Sequence, residues 1–177
     1  MKQKKKLWVA ILLALYLLIL VWMILFKGSI HTLQVLFLPE FRSIKLVPAM
    51  NARETLLNFL AFAPIGGYLG MLLKDKEKTS AWFKSVLFVF LLSLFFEVAQ
   101  YILALGTSDI TDLVSNTLGG MVGFAFYRAI RKRTDEKTDK IFIILGSIGT
   151  VLLLAFLVVR EIWPEVLEAS LYQPGSH

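Results

Sequence analysis

The chain has 177 residues, of which 57% are apolar and 18% charged, against about 45–50% and 25% in ordinary globular domains. That displacement excludes a disordered tail or a charged scaffold and points to a protein whose solvent is lipid. The net charge of +6 is spread over short basic clusters between apolar runs, which argues against nucleic acid as a partner. With no cysteine there is no disulfide, thiolate metal site or Cys nucleophile, and His31 and His177 are too few for a histidine zinc site.

Crossing the hydrocarbon core takes about 20 apolar residues, and five runs qualify: residues 7–26, 55–73, 85–105, 112–130 and 141–159, the fourth being the least apolar. The first follows Lys2, Lys4, Lys5 and Lys6. It is longer than a signal-peptide core and is followed by Lys27, Gly28 and Ser29 rather than a cleavage site, so it reads as an uncleaved anchor. Neither repeats nor linkers divide the chain. The expected fold is therefore all-α, a polytopic membrane helix bundle forming one domain over residues 1–177.

Orientation follows from the basic residues of alternate loops. Of the 19 Lys and Arg, 14 fall on the N-terminal side of the alternation and five on the other, which predicts a cytoplasmic N-terminus, an extracellular C-terminus and residence in a bacterial cytoplasmic membrane. Two outer segments are amphiphilic. Residues 28–50 carry Leu36, Phe37, Leu38 and Phe41, and the tail after Val159 carries Trp163, Leu167, Leu171 and Tyr172. Both are expected either at the headgroup level or as ordinary loop and tail.

Polar residues inside the spans are the informative ones. In span two these are Asn58 and Pro64, with Gly66 and Gly70 spaced for close helix packing. Pro64 frees the carbonyl of Leu60, so a kink is expected there. In span three, Glu97 sits mid-span, where an ionised carboxylate costs about 2.5–3.5 kcal/mol on insertion scales. At 100° per residue, Ser93, Glu97 and Gln100 share one face within about 60°. At the start of span four, Asp109, Asp112, Asn116, Gly119 and Gly123 form a second stripe, acidic above and bare below. Gly119-x-x-x-Gly123 and Gly66-x-x-x-Gly70 predict close packing of spans two and four.

Asn58, Glu97 with Gln100, and Asp109 with Asp112 and Asn116 thus all lie toward the outer side, and together they predict an outward polar pocket. Competing readings stand beside this. Asn51-x-x-Glu54 resembles a capping box, Asp109 or Asp112 can cap a helix start, and Asn58, Gln100 and Asn116 can be interhelical glue. Glu97 cannot be a cap. An acidic, amide-rich pocket suits protons, a divalent cation with Glu97, Asp109 and Asp112 as candidate ligands, or a ligand bearing ammonium or hydroxyl donors. Cofactors are otherwise not indicated, and no recognised catalytic motif names a reaction.

The chain resembles the VanZ-like family of small bacterial membrane proteins. The resemblance rests on Asn58-Phe-Leu-Ala-Phe62-Ala-Pro64-Ile-Gly66, Glu97-Val-Ala-Gln100, and Asp109-Ile-Thr-Asp112-Leu-Val-Ser-Asn116-Thr-Leu-Gly119-Gly-Met-Val-Gly123, within residues 51–128. Where family members often have an Arg after the glycine preceding the aspartates, this chain has Thr107. The resemblance implies an association with low-level resistance to teicoplanin-like lipoglycopeptides, with Asn58, Glu97, Gln100, Asp109, Asp112 and Asn116 as the matched polar positions. It implies no agreed chemistry.

The leading expectation is a non-transporting envelope protein that binds a lipid, a lipid-linked cell-wall precursor or a lipoglycopeptide in the outward pocket. Alternatives are a membrane-embedded enzyme that uses the carboxylates as acid, base or metal ligands on an envelope lipid, and a structural or partner-binding scaffold. A transporter is disfavoured because the polar residues do not continue to the other face.

Overall fold

A computed structural model describes residues 3–25, 43–45, 51–103, 107–134 and 136–171. Five helices account for nearly all of them: α1 (Gln3–Leu25), α2 (Ala52–Leu72), α3 (Lys78–Ile102), α4 (Ile110–Thr134) and α5 (Glu136–Leu171). Two three-residue strands, β1 (Ser43–Lys45) and β2 (Thr107–Asp109), pair in parallel with Lys45 opposite Asp109. This ladder is small enough to leave the molecule an all-helical bundle. Its effect is to draw the backbone between α1 and α2 across to the start of α4.

The helices obey a membrane pattern in which apolar side chains face outward and small or polar ones inward. In α3 the buried residues Ala81, Ser85, Val89, Ser93 and Glu97 recur every four positions, while Leu94, Phe95 and Val98 are exposed. Four helices, α1, α2, α3 and the Lys137–Val159 part of α5, are long and apolar enough to cross a membrane. The expected fourth span, α4, has the length, at 25 residues, but not that apolar content. Its polar and glycine face is spent on its neighbours, and Ile110, Val114, Leu118, Val122 and Phe126 form a winding apolar stripe on the outside.

Helix boundaries run beyond the expected spans. α3 begins at Lys78 rather than near residue 85, and α5 continues as helix to Leu171 instead of ending near residue 159. Of the segments expected at the headgroup level, most of residues 28–50 and the side chains beyond Val159 lie outside the described residues. α2 continues as helix through Pro64 to Leu72.

The closest helix pair is α2 with α4. A Cβ added to Gly66 would collide with the carbonyl of Gly120, one on Gly119 with the carbonyl of Phe59, and one on Gly123 with the carbonyl of Ala63. These obstacles are backbone, so no rotamer change relieves them, and the absence of side chains is what lets the two helices approach. Gly70 is covered by the Tyr127 ring. Around this seam pack Phe62 and Phe96, edge to face with centroids 6.1 Å apart, and Tyr16 of α1, whose hydroxyl donates to the carbonyl of Ala61 at 2.8 Å.

The end of the bundle that holds the start of α3 is tied together by charge. Asp139 of α5, 2% exposed, pairs with Lys74, 3% exposed, and with Arg131 at 2.7 Å. The Tyr127 hydroxyl also donates to Asp139, at 2.5 Å. One carboxylate thereby joins the turn after α2, the last turns of α4 and the start of α5. At the surface nearby, Lys6 pairs with Asp75 at 3.0 Å, and that hydrogen bond holds the Asp75 carboxyl below the usual carboxylate range.

Candidate functional site

The opposite end of the α2–α3–α4 core carries the polar residues singled out above. Glu97, 6% exposed, accepts a hydrogen bond from the backbone N–H of Asp109 at 2.9 Å. Asp109 in turn accepts from the N–H of Thr111 at 2.8 Å, which makes it the cap of α4. The buried Glu97 carboxylate is thereby partnered by the backbone at the start of α4.

Asp112, one turn further along α4, is hydrogen-bonded to the side chain of Asn58 on α2, and the carboxylates of Asp109 and Glu54 lie within electrostatic reach. Asn58 and Asp112 thus face each other between α2 and α4 at the head of the glycine seam. Glu54 stands in the first turn of α2. Asn51 caps α2 by accepting from the N–H of Arg53 at 3.3 Å.

A turn deeper, Asn116, 4% exposed, donates to the Ser93 hydroxyl at 3.0 Å. Its Oδ1 is buried and has no hydrogen-bond partner among the described residues, and the same holds for the Thr111 hydroxyl. A buried polar atom of this kind costs about 1–3 kcal/mol unless something satisfies it.

Gln100 does not join the cluster. Its amide donates to the carbonyl of Ile24 at 3.3 Å, satisfying one of the open carbonyls at the end of α1. It shares the face of Ser93 and Glu97 on α3, yet each member of that face meets a different neighbour. Nor do the candidate metal ligands Glu97, Asp109 and Asp112 form a cage: among the described residues no group of three or more Asp, Glu, His or Cys is placed to hold a metal ion. The reason is visible in the bonds, since Glu97 and Asp109 turn their oxygens to backbone N–H groups.

Several cavities lie elsewhere, two of them notable for their lining. One, of about 590 Å³, is walled by Pro64, Tyr68, Phe126, Phe142 and Gly149 between α2, α4 and α5 and is almost wholly apolar. The other lies between α3 and α4 at the basic end.

Spanning helices, a glycine seam and carboxylate and amide groups at one end define a small polytopic helical membrane protein. The family model VanZ/LLP1 matches residues 13–131, and the chain belongs to that family. It is similar to Protein VanZ of Enterococcus faecium, with 39% identity over 149 residues that cover 82% of this chain and 89% of that protein. No solved structure matches it at a significant level.

Proposed function

We propose that this chain lowers the action of teicoplanin-like lipoglycopeptides at the cell surface by binding, at the Glu54, Asn58, Asp109 and Asp112 cluster, the donor-rich polar part of an envelope lipid, a lipid-linked cell-wall precursor or the antibiotic itself. The carrying observation is the convergence of Asn58 and Asp112 with two further carboxylates nearby. A surface rich in acceptors suits ammonium groups and sugar hydroxyls. The kinship with Protein VanZ supports a resistance role.

In this reading the cluster faces outward from a bacterial cytoplasmic membrane and the Asp139 network faces the cytoplasm. The count of basic residues supports that orientation. Because the chain has no cysteine, single cysteines introduced near Arg53 and near Lys76 test it directly. The first is expected to react with an impermeant thiol reagent on intact cells and the second only after lysis.

The functional test is teicoplanin susceptibility of a sensitive Gram-positive host expressing wild type, Asn58→Ala or Asp112→Ala at matched membrane levels. Loss of protection in both variants is expected. Protection equal to wild type in both, with folded protein, rejects the role of the cluster.

A further inference from the structure

The cavity at the basic end is unlike the rest of the inner-facing surface. It has a volume of about 850 Å³ and is bounded by Lys78 and Trp82 of α3 and by Phe124, Arg128, Arg131 and Lys132 of α4. Two of the nearby cations are already satisfied, since Lys74 and Arg131 both pair with Asp139. Three are not. Among the described residues, no carboxylate pairs with Lys78, Arg128 or Lys132.

Arg128 is held in place without being neutralised. Its guanidinium lies 5.8 Å from the centroid of the Phe124 ring, and it donates to the carbonyl of Lys74 at 3.4 Å. Both contacts leave the charge intact and fix its position, which lowers the ordering cost of binding an anion. Lys78 and Lys132 are exposed on either side. The Glu77 side chain forms no cap bond at the start of α3, so the first-turn N–H groups add to the positive field.

The other wall is aromatic. Trp82 and Phe124 meet edge to face with centroids 5.5 Å apart, and the indole is 37% exposed. Tryptophan at this depth marks the headgroup level of a bilayer. Beyond it, exposed Phe83 and Leu87 of α3 and Val122 and Phe126 of α4 continue as the lipid-facing surface. A cationic hollow that opens onto such a surface fits an anion with a hydrocarbon tail better than a soluble one.

We propose that this cavity binds the headgroup phosphate of an anionic phospholipid, with Lys78, Arg128 and Lys132 on the phosphate oxygens and Trp82 and Phe124 against the glycerol and upper chain. Arginine and lysine donors match phosphate geometry and charge, and basic pockets between spanning helices hold such headgroups. This site is separate from the acidic cluster, and its occupancy does not depend on the resistance reading.

The test uses the full chain in mild detergent, titrated with phosphatidylglycerol or phosphatidylcholine, with bound lipid counted by native mass spectrometry. Wild type is expected to retain phosphatidylglycerol in clear preference to phosphatidylcholine. The pair Lys78→Gln with Lys132→Gln is expected to lower that retention roughly tenfold or more, whereas Lys4→Gln with Lys5→Gln, which removes the same charge outside the cavity, leaves it within about twofold. Equal retention of both lipids by wild type overturns the proposal. So does equal loss in the two double variants, which would reduce the effect to diffuse attraction. Displacement of the lipid by millimolar inorganic phosphate assigns the site to soluble anions and also overturns it. The pair Lys78→Arg with Lys132→Arg keeps the charge and is expected to keep the lipid, and a folded arginine pair that fails to retain it counts against the site even if the glutamine pair does not fold.

Discussion

The carboxylate of Glu97 on α3 holds the backbone N–H of Asp109 at 2.9 Å, and this bond ties the end of α3 to the start of α4. Asp109 is then placed to cap α4 through Thr111, and the Asn58–Asp112 contact lies within one turn.

Removing that acceptor takes a partner from the partly buried N–H of Asp109. Glu97→Ala is expected to destabilise the detergent-solubilised protein by about 1–3 kcal/mol, read as a lowered midpoint of thermal unfolding. Glu97→Gln keeps a carbonyl oxygen in reach and is expected to lose less than half as much. Equal losses in the two variants would show that the charge, and not the bond, is what matters.

The glycine seam makes a contrast between positions of the same type. Gly123→Ala places a methyl against the Ala63 carbonyl and is expected to cost about 1–3 kcal/mol through overpacking, with helix separation as the alternative outcome for the bundle. Gly149 has nothing within 4 Å of an added Cβ. Gly149→Ala is therefore expected to be neutral or to stabilise by up to about 1 kcal/mol, because alanine is the better helix former. A fall in unfolding midpoint for Gly149→Ala as large as that for Gly123→Ala would contradict the packing described.

At the other end, Asp139→Asn strips the partner from a Lys74 that is 3% exposed. Breaking one side of a buried pair typically costs about 3–5 kcal/mol, enough to lower the yield of folded protein. Replacing both, as Lys74→Met with Asp139→Leu, is expected to recover part of the loss, since no lone buried charge remains. If the single and double variants unfold alike, the unpaired Lys74 charge is not what destabilises the single variant.

Ser85 offers a test in the opposite direction. Its hydroxyl is buried on α3 without a hydrogen-bond partner among the described residues, so Ser85→Ala deletes an unsatisfied group and is expected to be neutral or mildly stabilising. A loss of more than about 1 kcal/mol on thermal unfolding would reveal a bound water or ligand group at that hydroxyl.

Much of the architecture is written in local periodicity. Apolar runs of spanning length mark the helices, and Gly66, Gly70, Gly119 and Gly123 mark the seam between α2 and α4, because a missing side chain at four-residue spacing has the same meaning on any helix. The places of Asn58, Asp112 and Asn116 along their helices were likewise readable, since rise per residue fixes how far along a helix a polar group lies, whereas Glu97, expected mid-span, lies in the last turns of α3 because that helix starts and ends earlier than its apolar run.

What tertiary structure decided is which partner each group meets. Ser93, Glu97 and Gln100 share one face of α3, yet they bond to Asn116, Asp109 and Ile24 respectively, because three different elements border that face at successive depths. The burial of Lys74 with Asp139 follows only from the docking of α5 on the rest of the bundle. The pairing of Lys45 with Asp109 in the short ladder left no signal in either segment alone. Periodicity specifies rotation and depth within one helix, whereas a hydrogen bond or ion pair between elements also depends on how their axes sit, and that is fixed by the packing of the whole bundle.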